Sequence, residues 1–224
     1  MKKTQEGLLA LGMLFAVALV LSNVVAAKVV STSIPFPGGT LAFPGAVFCY
    51  AITFLATDVV GEVWGRREAA AVVRWGFAAQ LLAAALLLFT QALPAASPEV
   101  QGAYRTLLGQ NWAFAGASLV AYAISQSWDV FVFHRIRDRI LARRPDGRSR
   151  RWIWNNASTM TSQLLDTVVF VGLAFGCGLG WLFDPAKRPA LLSLMLGQYL
   201  VKFVLAALDT PVFCLLTRRP VPES

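Results

Sequence analysis

Asp166 stands inside TSQLLDTVVFVGLAFGCGLGWLF, Thr161–Phe183, a stretch long and apolar enough to cross a bilayer. Gln163 lies one helical turn before it. SQSWDVFVF (Ser125–Phe133) repeats the pattern of SQLLDTVVF (Ser162–Phe170), with Gln126 and Asp129 in the equivalent positions. Asp209 opens a third D-x-x-V-F match, and Asp58 and Glu62 lie in a further apolar run. A charge inside hydrocarbon costs about 2.5–3.5 kcal/mol, so each such residue should face protein or water and marks a functional position by default. An ionised carboxylate only accepts hydrogen bonds. Several of them suit a solute that donates.

These residues recur at helical spacing. Ser118, Tyr122, Ser125 or Gln126, and Asp129 form one stripe; Asn155, Ser158, Ser162 and Asp166 form another. Gln198, Lys202, Leu205 and Asp209 share a face, as do Phe54, Asp58 and Glu62. Counted from the arginines near each run, the four aspartates fall at one depth, about 10–15 Å from a basic belt at a rise of about 1.5 Å per residue. Two readings are open. The polar groups can bind helices to one another, with aspartate pairing serine, glutamine or Lys202. Alternatively they line a pocket, the better account of so many acids together. Lys202 beside an aspartate is then either a static ion pair or one that a solute breaks.

The elements that must hold these groups are transmembrane helices. The chain is 57% hydrophobic and 14% charged, where a soluble domain carries roughly a quarter charged residues. Six apolar runs approach the roughly 20 residues needed to span a bilayer, at about 8–28, 42–64, 69–92, 112–133, 157–182 and 190–216. Alternating sides puts 15 of the 20 Lys and Arg residues on the side holding both termini, and four on the other. That bias predicts cytoplasmic termini. The expected fold is an all-α integral membrane protein, one six-helix domain over 1–224.

The net charge of +8 therefore belongs to membrane topology, and no nucleic-acid partner is expected. HRIRDRILARRPDGRSRRW (His134–Trp152) is placed at an anionic inner leaflet, making membrane lipid a partner. The N-terminal run is read as the first span rather than a cleaved signal peptide. Cys49, Cys177 and Cys214 lie in apolar runs without paired spacing, so no metal site or disulfide is expected. His134 is read as incidental. No H-E-x-x-H, G-x-S-x-G or P-loop pattern occurs, so no enzyme, catalytic residue or cofactor is expected.

Between the first two runs, IPFPGGTLAFPGA holds too many breakers for a helix. It is an external loop or a re-entrant segment lining a cavity. QALPAASPEVQGAYRTLLGQN is read as an ordinary outer loop, and Pro211 as a kink beside Asp209.

SNVVAAK (Ser22–Lys28), FPGAVFCYAITFLATDVVGEVWG (Phe43–Gly65) and NNASTMTSQLLDTVVF (Asn155–Phe170) together resemble the queuosine precursor transporter family, also described as vitamin uptake transporters. The likeness covers nearly the whole chain. It departs at PGG before the F-P motif and at Trp64, where the family usually has Tyr. The resemblance implies import of 7-cyano-7-deazaguanine, with its 7-aminomethyl relative as a second candidate, across a bacterial inner membrane. It carries over Asn23, Lys28, Asp58, Glu62, Gln163 and Asp166 as substrate-binding candidates. Gln126, Asp129, Lys202 and Asp209 join them from the polar faces. A carboxylate would accept both the ring N–H and the 2-amino group of a deazaguanine, while Phe54, Phe170 or Trp128 stack on its flat ring. The mechanism so implied is alternating access without an ATPase of its own, and a homodimer is compatible with it. The alternative is a substrate-binding subunit of an energy-coupling-factor importer for another vitamin.

Overall fold

The computed structural model describes residues 3–37, 39–143 and 151–217. Seven α-helices make up most of it. Helix α1 (Gln5–Val25) starts where the Thr4 hydroxyl accepts the Gly7 N–H at 3.1 Å, a serine/threonine N-cap that satisfies one orphan donor. It ends three residues before the apolar run does, so Lys28 lies beyond it. Helix α2 (Ala46–Val63) and helix α3 (Arg66–Ala92) are joined by Gly65 at φ 106°, a conformation that favours glycine. Helix α4 (Pro98–Leu108) is followed by α5 (Asn111–Arg143), α6 (Arg151–Val171) and α7 (Arg188–Thr217). The glycine-rich GLAFGCG, Gly172–Gly178, continues α6 as a π-helix. Its wider turn seats Phe175 against Phe114 at 5.3 Å between ring centres.

Among the described residues five helical segments are long and apolar enough to cross a membrane: Gln5–Val25, Ala46–Val63, Arg67–Ala92, Thr159–Gly178 and Arg188–Ala206. The expected run at 112–133 lies within α5, which at 33 residues has the length but is not among those five. The outside of the bundle is apolar. Met13, Val17, Leu82, Phe89, Phe203 and Leu208 are all more than half exposed, as lipid-facing side chains must be. Inside, Phe170, Val171, Phe175, Leu191 and Leu194 form the main core, and Phe15, Leu19 and Ala56 pack a second between α1 and its neighbours. Helix α7 runs on through Pro211 to Thr217.

The breaker-rich connection is not irregular chain. It is a hairpin. Strands β1 (Val29–Phe36) and β2 (Gly39–Pro44) pair antiparallel, Val29 opposite Pro44 and Phe36 opposite Gly39, with an irregularity between Ser31 and Pro35. Pairing satisfies the backbone without a helix, the requirement at the edge of a membrane. A two-stranded ribbon has two outer edges, where proline is tolerated. Leu41, Phe43 and Pro44 are buried, and β2 lies on α7. Ser193 of α7 fastens it, accepting the Ala42 N–H at 2.9 Å and donating to the Thr40 carbonyl at 2.8 Å. A Cβ on Gly197 would collide with the Ala42 carbonyl, so only glycine permits this approach.

Two further expectations change. The third-to-fourth connection contains α4, capped by the Ser97 hydroxyl and tied back to α3 where Tyr104 Oη donates to the Leu87 carbonyl at 3.0 Å. Asp166 also lies deeper than the expected layer. Helix α6 begins at Arg151, so all fifteen residues up to Asp166 are helical and rise about 22 Å.

Candidate functional site

Asp166 sits near the end of α6 and Lys202 midway along α7, where the two helices pack. The Lys202 ammonium donates to Asp166 Oδ2 at 2.6 Å. Its side chain is 7% exposed and that of Asp166 18%, so the carboxylate is the more exposed member of the pair. The Ser125 hydroxyl of α5 lies 3.3 Å from Asp166 Oδ1. Burying two charges costs several kcal/mol per ion, repaid only when geometry is close and the remaining lone pairs are met. Here both carboxylate oxygens have partners.

A second chain of hydrogen bonds adjoins the pair. Tyr50 Oη of α2 donates to Ser118 Oγ of α5 at 2.7 Å, and Ser118 donates to Asn23 Oδ1 of α1 at 2.9 Å. Asn23 Nδ2 and Ser22 Oγ both donate to the Leu19 carbonyl. Asn23 is 1% exposed and fully engaged. Tyr50 links the two groups, because its ring centre lies 5.9 Å from the Lys202 ammonium. That is within cation–π range. Phe54 and Phe170 flank the same ring at 6.3 and 6.4 Å. Five helices thus converge on one polar cluster.

Around it lie polar atoms that no protein group satisfies. Gln198 Oε1 is buried without a partner one turn before Lys202, and Gln163 Oε1 one turn before Asp166. The hydroxyl of Thr167, next to Asp166, is also buried and unpartnered. A buried polar group normally has a hydrogen bond, and its lack costs about 1–3 kcal/mol. Three such atoms belong to residues within a helical turn of the ion pair along α6 and α7. A cleft of about 400 Å³ between the end of α3 and α4, lined by Gln91, Pro94, Ser97 and Gln101, shares no residue with this cluster.

Of the residues singled out by sequence, Asp166, Lys202 and Asn23 are brought together, and Gln163 lies one turn before Asp166 on α6. Lys28 is not among them. Its side chain is exposed at the hairpin neck, where its carbonyl accepts the Gly45 N–H at 2.8 Å. Asp58 and Glu62 are exposed on α2, about two and three turns beyond Tyr50. The side chains of Gln126, Asp129 and Asp209 lie outside the described residues, as do those of Asn155 and His134. Of the proposed stacking residues, Phe54 and Phe170 reach the cluster through Tyr50, while Trp128 is exposed against Phe131. Tyr50 itself was missed. Its signal was present: it precedes Phe54 by one turn, on the face that continues to Asp58.

A family model described as "Putative vitamin uptake transporter" matches residues 44–216. A curated relative from Bacillus subtilis (strain 168), named "Probable queuosine precursor transporter", is 35% identical over 171 residues, 72% of this chain. The match spans 66% of that relative's own length. No solved structure matches.

Proposed function

The chain belongs to the vitamin uptake transporter family, and we propose that it imports 7-deazaguanine precursors of queuosine across a bacterial inner membrane. It is a transporter and not an enzyme. The observation that carries the substrate proposal is the Lys202–Asp166 pair with unsatisfied polar atoms on the adjoining turns. A 7-deazaguanine presents, in order along one edge, a 6-oxo acceptor, a ring N–H and a 2-amino group. Asp166 accepts the two donors as a bidentate pair, and Gln163 or Gln198 supplies a further acceptor. Tyr50 offers its ring to the flat face. Asp58, Glu62, Asp129 and Asp209 belong to the path toward the arginine-rich end of the bundle, and Asn23 to the scaffold.

In this reading the whole of 1–224 is one membrane unit, α5 supplies the fourth of six spans, and both termini are cytoplasmic. Substrate reaches the pair from the hairpin end and leaves at the arginine end by alternating access. Helix α7 carries both Lys202 and the hairpin's anchor, Ser193, so its movement couples the site to the outer mouth.

Purified chain reconstituted alone in liposomes tests this. Uptake of labelled 7-cyano-7-deazaguanine, recovered chemically unchanged, is the expected result. Binding without uptake would instead identify a substrate-binding subunit that needs separate coupling and ATPase proteins. The absence of both binding and uptake would refute the 7-deazaguanine reading.

A further inference from the structure

We infer that Lys202 makes the site selective for 7-deazaguanines whose 7-substituent is neutral, and against those whose substituent is cationic. This rests on the 7-deazaguanine reading above and deepens it. The ammonium lies at hydrogen-bond distance from Asp166 Oδ2, so a purine edge that engages the carboxylate is brought against Lys202 as well. The donor next to Asp166 then meets the acceptor next to the ring N–H, which is the 6-oxo group. Acceptor and donors on the ligand face donor and acceptor on the protein.

The 7-substituent projects from the same side of the bicycle as the 6-oxo group, one ring atom away. Whatever group is carried there comes to the Lys202 ammonium. A nitrile is neutral and its nitrogen accepts a hydrogen bond. An aminomethyl group is an ammonium at neutral pH and meets a like charge. Lys202 is 8% exposed, so little water screens the pair, and like charges a few ångströms apart repel strongly there. Among the described residues of the cluster, Asp166 is the sole anion, and Lys202 already neutralises it. No carboxylate within the pair remains to offset a second cation. Tyr50 does not relieve the conflict, because its ring already faces the Lys202 ammonium.

Charge, rather than size, is therefore the discriminating property, and a neutral hydroxymethyl substituent separates the two. It is nearly the same shape as aminomethyl. Equilibrium binding of the cyano, hydroxymethyl and aminomethyl compounds to the purified full chain tests the inference. The cyano and hydroxymethyl compounds should bind comparably, with aminomethyl weaker by at least about tenfold. Lys202→Gln should erase or invert that order, because Asp166 then stands as an unneutralised anion beside the substituent. Lys202→Arg keeps the charge and should keep the order. Equal binding of all three by the unmodified protein overturns the inference while leaving the 7-deazaguanine reading intact, and so does an order unchanged by Lys202→Gln. Weak binding of hydroxymethyl and aminomethyl alike would show that size decides, and would also overturn it. Binding of none of the three removes the reading itself. The comparison of compounds on the unmodified protein needs no variant to fold.

Discussion

The Lys202 ammonium lies 5.9 Å from the centre of the Tyr50 ring, and through that contact two hydrogen-bonded groups become one site. On one side Lys202 joins α7 to Asp166 of α6. On the other the Tyr50 hydroxyl joins α2 to Ser118 of α5 and, through it, to Asn23 of α1. A movement of α7 that displaces Lys202 therefore alters what Asp166 and the Tyr50 ring experience together. A ligand that takes Asp166's second lone pairs perturbs the same contact from the other direction.

Asp166→Asn should lower both stability and affinity. It leaves a buried ammonium without its counter-ion, and breaking a buried pair from one side costs about 3–5 kcal/mol. One lost charged hydrogen bond to ligand is worth about 1.5–3 kcal/mol, an affinity loss of roughly tenfold to a hundredfold. Asp166→Leu combined with Lys202→Met removes both charges. Thermal unfolding of that double variant should recover toward the unmodified value while uptake stays absent. Uptake at the normal rate by the folded double variant would reduce the pair to helix glue.

Most of the helices were legible in the sequence because an apolar run and a spanning helix obey the same length requirement: five of the six runs overlap segments apolar enough to cross a membrane, while α5 continues ten residues past the run at 112–133. The hairpin was not. Pro35, Pro37, Gly39 and Pro44 read as punctuation, whereas the β-branched residues around Val29–Ile34 pair once α7 supplies a floor, a long-range contact no local pattern encodes. Asp166 and Lys202 were legible as charges in apolar runs, but their partnership was one of several open to each. Tyr50 was hidden because a tyrosine in an apolar run looks like core. Its role comes from Ser118 and Lys202, which lie 68 and 152 positions away.

Tyr50→Phe isolates the hydroxyl from the ring. Ser118 keeps its bond to Asn23, so the loss should be that of one hydrogen bond, about 0.5–1.5 kcal/mol in unfolding free energy. Ligand affinity should stay within about twofold. Tyr50→Leu removes the ring as well and should weaken binding by about tenfold, as loss of an aromatic face implies. Equal affinities for the two variants, measured alongside thermal unfolding, would remove the ring from the site.

The hairpin's seat on α7 has its own test. Ser193→Ala deprives the Ala42 N–H and the Thr40 carbonyl of their partner, at about 1–3 kcal/mol. Gly197→Val puts a branched side chain where the Ala42 carbonyl lies and should lift the hairpin altogether. Limited proteolysis should then cut between β1 and β2 in both variants, faster in Gly197→Val. Leu196, 43% exposed on the same helix, serves as the control, and Leu196→Ala should leave the hairpin protected.

Cysteine labelling from either side of sealed vesicles checks the orientation. Cysteines introduced at Arg67 and Arg139, next to the ends of α2 and α5, should react from the cytoplasmic side, and one at Ser33 in β1 from the opposite side. The arginine bias predicts this arrangement. The opposite labelling pattern would reverse the direction of the path through the acids.

The energetics of transport follow from the charges in the site. No P-loop occurs in the sequence, so uptake by the chain alone must use gradients already present. Lys202 and Asp166 neutralise each other, and a neutral substrate adds no charge to the moving unit. A uniporter of this kind carries the cyano compound down its own gradient. Membrane potential, worth about 2.3 kcal/mol per charge per 100 mV, should then leave its equilibrium distribution unchanged. Proteoliposomes with potential and pH gradient set independently provide the measurement. The expected result is equal concentrations inside and outside under either gradient. Accumulation driven by an acid exterior alone would mean that a proton travels with the substrate. It would make one of the carboxylates, Asp166 foremost because it holds the Lys202 ammonium, the proton's carrier.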